Sequence, residues 1–138
     1  RFTVINKKPL FIVDGAHNAG AADKMAESVR HYFNGKKLIY IMGVFADKEY
    51  KIVLEKTAHF AEKIYTIETP DNPRALPAEE LAKAARVYNS SAESTKSIKD
   101  AVEKAFSCAG DDENSVILAF GSLSFIGALT NAVEEYVG

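Results

Sequence analysis

Only one cysteine, Cys108, occurs among the 138 residues, which excludes an internal disulfide and suits a reducing compartment. No apolar run approaches the roughly 20 residues that cross a bilayer, and no charged-then-apolar leader opens the chain. A cytoplasmic protein without membrane contact is therefore expected. Excess positive charge is lacking too. Seventeen Lys and Arg stand against nineteen Asp and Glu, a net charge of −2, and the bases are scattered, at their densest in the pairs Lys7-Lys8 and Lys36-Lys37. Such a chain builds no field that would hold a nucleic acid. No Cys/His cluster has the spacing of a zinc site, so no metal ligand is assigned, and His31 and His59 fall in helical stretches without a partner at ligand spacing. No Ser-His-Asp arrangement can be argued. Neither G-x-x-x-x-G-K-[ST] nor G-x-G-x-x-G occurs, so the chain has no phosphate-gripping loop of its own.

What is present fits one domain. The 47% apolar and 26% charged fractions are ordinary for a globular protein, and a chain of this length buries roughly 68% of the surface it exposes when unfolded. Phe2-Thr3-Val4-Ile5 and Pro9 to Val13 read as strands parted by the turn Asn6-Lys7-Lys8, a hairpin. Leu10 to Val13 is apolar throughout, as expected of a strand covered on both faces. A helix follows from about Ala19 to Phe33. Its apolar positions Ala22, Met25, Val29 and Phe33 form one stripe, and Asn34-Gly35 stops it. The pattern then repeats: a strand at Leu38–Met42, a helix at Lys48–Phe60, a strand at Lys63–Glu68, and a helix from Pro77 to Tyr88. A short edge strand is expected within Ser90–Ser94, then a helix at Thr95–Cys108, a strand at Ser115–Phe120, and a last helix from near Ser122 to Tyr136. The predicted fold is α/β: a Rossmann-like open sheet of about six strands, mostly parallel with one antiparallel strand, and helices on both faces. Arg1 is not Met, and the chain runs directly into an apolar alternation. It is expected to be a single domain, residues 1–138, excised from a larger protein.

In an open sheet of this kind ligands bind beyond the carboxyl ends of the strands. Three loops there carry polar residues worth weighing. Asp14-Gly15-Ala16-His17-Asn18 joins a strand to a helix that Asn18 can cap, and a helix N-terminus behind a small-residue loop suits phosphate or hydroxyl groups. Asp14 and Asn18 read equally well as turn and cap residues. A hairpin turning at Asn6 to Lys8 pairs Ile5 with Pro9, Phe2 with Ile12, and Arg1 with Val13. Facing residues lie about 5 Å apart, which brings Arg1 beside Asp14. The two then form a structural ion pair, or grip a phosphate and a sugar hydroxyl respectively. A one-residue slip would turn Arg1 to the opposite face. In the second loop, Gly43 to Lys48, Lys48 offers a compact charge for a carboxylate, while Asp47 and Lys48 also read as solvated helix-start residues. In the third, Gly121-Ser122-Leu123-Ser124, hydroxyls and backbone N–H groups suit a carboxylate, and Ser122 reads equally as a helix cap.

Taken together, Arg1, Val13-Asp14-Gly15-Ala16-His17-Asn18, Gly43 to Lys48 and Gly121-Ser122-Leu123 resemble the carboxy-terminal domain of the folylpolyglutamate synthase/dihydrofolate synthase family, part of the Mur ligase superfamily. The resemblance covers essentially the whole chain in order and spacing, and the D-G-A-H-N stretch is its most specific motif. It implies an ATP-dependent ligase whose amino-terminal domain, absent here, carries the P-loop, the Mg2+ ligands and the pterin pocket. That enzyme would phosphorylate a folate or dihydropteroate carboxylate and let glutamate displace the phosphate. By this likeness Arg1 reaches the ATP phosphates, Asp14 the ribose hydroxyls, and His17 and Asn18 line the nucleotide, with Arg1 and His17 as the catalytic candidates. Lys48 and Ser122 match the region that holds the carboxylates of glutamate. The domain alone would be inactive. Two departures stand out: Ala19 where the family usually has Pro, and Ser124-Phe125 where Tyr-Leu is usual. Two alternatives remain open at this point, a peptidoglycan-precursor ligase domain of the same superfamily and a stand-alone flavodoxin-like binding or signalling module.

Overall fold

In the computed structural model, which describes residues 2–138, the apolar runs pair into one sheet. Its strands are β1 (Thr3–Lys7), β2 (Leu10–Val13), β3 (Lys37–Met42), β4 (Ala61–Thr66), β5 (Glu93–Ser94) and β6 (Ser115–Phe120), in the order β1-β2-β6-β3-β4-β5. Only the β1–β2 pair is antiparallel. The helices are α1 (Ala19–Tyr32), α2 (Tyr50–Thr57), α3 (Ala78–Ala85), α4 (Ile98–Ala109) and α5 (Ile126–Val137). This is the α/β architecture expected from the alternation of elements. No helix among the described residues is long and apolar enough to cross a membrane.

The continuous apolar strands have their cause in two covered faces. Side chains of a strand alternate sides. Ile12, Leu38, Tyr40, Met42, Val116, Leu118 and Phe120 therefore meet Met25 and Val29 of α1, Leu54 of α2 and Leu81 of α3. Their neighbours Phe11, Ile39, Ile41, Ile117 and Ala119 meet Val102 and Ala105 of α4 and Leu129 and Val133 of α5. Burying each large side chain of this kind contributes about 1.5–3 kcal/mol. Tyr40 is the polar exception: fully buried, it donates its hydroxyl to the Thr57 carbonyl at 2.7 Å. Burial pushes its phenol well above the ordinary tyrosine range, so the hydroxyl stays a donor.

Sheet order positions the site. From β2 the chain crosses through α1 to β3, leaving a gap that β6 fills after returning through α4 on the other face. The loops after β2, β6 and β3 are thereby neighbours. The ends of β6 and β3 lie so close that a Cβ on Gly121 would stand 2.3 Å from the Gly43 carbonyl oxygen, and Gly121 holds φ at +114°. Only glycine fits both conditions.

Three local expectations are corrected. Asn6 and Lys7, expected in the turn, extend β1, and the turn is Lys8-Pro9. Val13 faces Thr3 rather than Arg1, and Ile12 faces Val4 rather than Phe2, with a bulge between Val4 and Asn6. An edge strand tolerates polar residues, and the Asn6 side-chain amide donates to the Pro9 carbonyl at 2.9 Å, so polarity alone misplaced the turn. Arg1 lies outside the described residues. The second correction is that α2 starts at Tyr50, not Lys48, because the Lys48 N–H closes a turn onto the Phe45 carbonyl. Finally, a 3-10 turn over Leu123–Phe125 precedes α5.

Gly121→Ala is expected to cost about 2–4 kcal/mol, from left-handed backbone strain plus a forced separation of two strand ends. Urea unfolding checks it, and a loss below about 1 kcal/mol would contradict the close approach. A second expectation concerns the β5 edge. Glu93 pairs with Lys63 at 2.9 Å and Lys104 at 3.2 Å, and these ammoniums, Lys63 foremost, hold its carboxyl below the usual carboxylate range. A depressed folded-state pKa stabilises above the unfolded value and is lost as pH falls through the folded one. Wild type should therefore exceed Glu93→Gln in stability at neutral pH, and the gap should close in acid. A gap independent of pH would refute the pairing.

Candidate functional site

The loop after β2 is built around Asp14. Its backbone N–H continues the sheet onto the Ala119 carbonyl at 2.9 Å, and its Oδ2 accepts the Ala16 N–H at 2.9 Å. Asp14 is 3% exposed, so the carboxylate is part of the loop's frame. His17 is exposed and sets its Nδ1 2.8 Å from the Gly15 carbonyl. Asn18, extended at φ −141°, caps α1 by accepting the Ala21 N–H at 2.9 Å. The neighbouring Ala19 N–H is taken at 3.0 Å by Glu49, from the loop after β3. A carboxylate there is favoured by the partial positive charge of a helix start. The loop after β3 is thus bonded to the start of α1.

The loop after β6 closes over the first. Leu123, 65% exposed, leans on Gly15: a Cβ at that glycine would lie 3.2 Å from the leucine side chain. Buried Ser122 accepts the Ser124 N–H at 3.2 Å and shares a 2.8 Å hydrogen bond with the Ser124 hydroxyl, so Ser122 is indeed a cap residue. Between these loops runs an open groove of about 270 Å³, lined by His17, Phe45, Lys48, Arg74, Gly121, Ser122, Leu123 and Ser124. His17, Lys48 and Ser122, singled out from the sequence, share it. Asp14 and Asn18 sit at the same carboxyl edge but do not line it. Among the described residues no three His, Cys, Asp or Glu side chains converge as metal ligands.

Arg74 was missed. It lies beyond β4, on a loop whose run Pro70-Asp71-Asn72-Pro73 reads as a turn and draws attention from the residue after it. Its guanidinium carbon stands 4.5 Å from the centre of the Phe45 ring. Its Nε and Nη2 donate to Asp47 at 3.0 to 3.2 Å. That fork, more than any other cause, holds the Asp47 carboxyl below its usual range. The rule that every parallel strand aims its carboxyl end at the ligand, applied to β4, would have found it.

A family described as Mur ligase, glutamate ligase domain, matches residues 1–123. The chain is 28% identical over 134 residues to the dihydrofolate synthase/folylpolyglutamate synthase of Bacillus subtilis, covering 97% of this chain and 30% of that protein. It is 30% identical over 77 residues to the folylpolyglutamate synthase of Lacticaseibacillus casei, 56% of this chain and 18% of that one. Among solved structures, E. coli FolC in complex with DHPP and ADP is similar in fold, with a TM-score of 0.85 at 20% identity over 100% of this chain and 32% of that one. Folylpolyglutamate synthase from Thermotoga maritima gives a TM-score of 0.75 at 26% identity, over 97% of this chain and 30% of that one. The chain thus spans less than a third of the curated relatives it matches. The likeness to folate synthases noted in the motifs therefore holds along the chain, and the stand-alone signalling module is set aside. With the match running from residue 1 to residue 123, the chain belongs to the Mur ligase, glutamate ligase domain family.

Proposed function

We propose that residues 1–138 form the carboxy-terminal domain of a larger, cytoplasmic, ATP-dependent ligase that joins glutamate to folate or dihydropteroate through an acyl phosphate. The observation that carries this reading is the convergence of four loops on one groove holding Lys48, Arg74 and Ser122 next to the Asp14–Asn18 loop. The names of the relatives aligned along the chain favour the folate branch over a peptidoglycan-precursor ligase.

In this reading the preceding domain grips ATP, and the loop after β2 closes on the nucleotide. Arg1 meets the phosphates, Asp14 the ribose hydroxyls, and His17 and Asn18 the rim of the nucleotide. Lys48 and Ser122 take the carboxylates of glutamate. Mg2+ would neutralise the phosphates, with its ligands in the preceding domain. Attack on an acyl phosphate needs alignment and charge neutralisation more than covalent help from the protein. A groove supplied by a separate domain gives both only on closure, which also keeps water from a hydrolysable intermediate. Lys48 presents a point charge, whereas Ser122, fixed by Ser124, presents an oriented hydroxyl.

In the full-length protein, Asp14→Ala and Arg1→Ala should each lower ATP- and glutamate-dependent turnover at least tenfold, about 1.4 kcal/mol of transition-state binding. Near-wild-type rates for both would remove the nucleotide assignment. The 138-residue chain alone should turn over nothing.

A further inference from the structure

We propose that Glu49 is a positioning residue: its carboxylate, bonded to the Ala19 N–H, holds the loop of residues 14–18 in place against the groove and so lowers the KM for ATP. This rests on the function proposed above and adds to it a residue that does not itself line the groove.

Within the loop after β2, Asp14 takes the Ala16 N–H, His17 meets the Gly15 carbonyl, and Asn18 takes the Ala21 N–H. Each of these bonds spans two or three residues, so they set the shape of the loop and not where its far end stands against the loop after β3. Glu49 sets that from 30 residues away, with Oε1 3.0 Å from the Ala19 nitrogen. Its carboxylate is available because its own helix does not use it. Glu49 precedes α2 and its carbonyl takes the Val53 N–H at 3.1 Å, yet its side chain makes no capping bond to α2. A carboxylate at a helix start ordinarily serves that helix. This one serves the neighbouring helix.

The base from which Glu49 reaches is itself held. The Lys48 N–H closes a turn onto the Phe45 carbonyl at 3.2 Å, and Phe45 bridges Ala75 in the loop after β4. One turn further along α1, Asp23 meets Lys56 of α2 at 2.7 Å, and that hydrogen bond, foremost, raises the Lys56 ammonium above its usual range. Two ties therefore join α1 to α2. Exposed bonds of this kind add little to folding, since water competes for both partners. They matter for binding, because a loop already in place has less freedom to lose when a ligand arrives. His17 and Asn18 stand directly before Ala19, so the placement reaches the two residues proposed to line the nucleotide.

Proline at position 19 deletes the donor with little other change. Proline suits the first position of a helix, and Asn18 already has the extended backbone, φ −141° and ψ 173°, that a following proline requires. The test compares Ala19→Pro, Glu49→Ala, Glu49→Gln and the double variant Ala19→Pro/Glu49→Ala in the full-length protein, reading the KM for ATP, the KM for L-glutamate, kcat and the thermal midpoint. Ala19→Pro and Glu49→Ala should each raise the KM for ATP about fivefold. In Ala19→Pro the glutamate KM and kcat should stay within about twofold of wild type. The double variant should be no worse than either single one, because both delete the same bond. Glu49→Gln should recover part of the loss, since its amide oxygen still accepts. An ATP KM unchanged in both single variants, or effects that multiply in the double variant, overturns the inference and leaves the ligase reading standing. So does an equal loss of affinity for both substrates with a fall in thermal midpoint, the mark of a contact that only supports the fold. A wild type without ATP- and glutamate-dependent turnover removes the ligase reading, and this inference with it.

Discussion

The site depends on β6 lying between β2 and β3. That insertion has a steric condition at the strand ends, where the Gly121 backbone approaches the Gly43 carbonyl too closely for any side chain. Gly43 is confined on its own account, by a different neighbour, since a Cβ there would stand 2.4 Å from the Ile67 side chain. Two glycines thus let three loops reach one rim. With bulkier residues there, β6 would have to move away from β3, and the groove between Ser122 and Lys48 would open.

Once the loops are neighbours, hydrogen bonds tie them into a single surface. Glu49 reaches from the loop after β3 to the first N–H of α1, and Leu123 covers Gly15. The Phe45–Ala75 bridge joins the loops after β3 and β4. Individually these are exposed contacts of modest strength, since water competes for each partner. Their effect is geometric: the loops that carry His17, Lys48, Arg74 and Ser122 stand on one connected frame. A ligand entering such a frame would meet groups already oriented, with little ordering left to do.

Much of this was legible in the residues. Apolar runs such as Leu38–Met42 announce strands covered on both faces, because a half-exposed strand would alternate. The helix of Ala22, Met25 and Val29 follows from one buried stripe, and Asn18 proved to be its cap. Polarity misled in two places for the same reason. Asn6 and Lys7 look like a turn, yet an edge strand has water on its outer side and accepts them. Arg74 looks like loop filler after two prolines, yet β4 aims it at the groove.

By itself the sequence determined the elements, their two-sided burial and the short polar loops, since each depends on residues a few positions apart. Only the tertiary structure decided that His17, Lys48, Arg74 and Ser122 line one groove, and that Arg74 lies over Phe45 while forked to Asp47. Local periodicity records whether a residue is buried. Which strand lies beside which is settled by packing helices on both faces at once, a condition that no single stretch of chain contains.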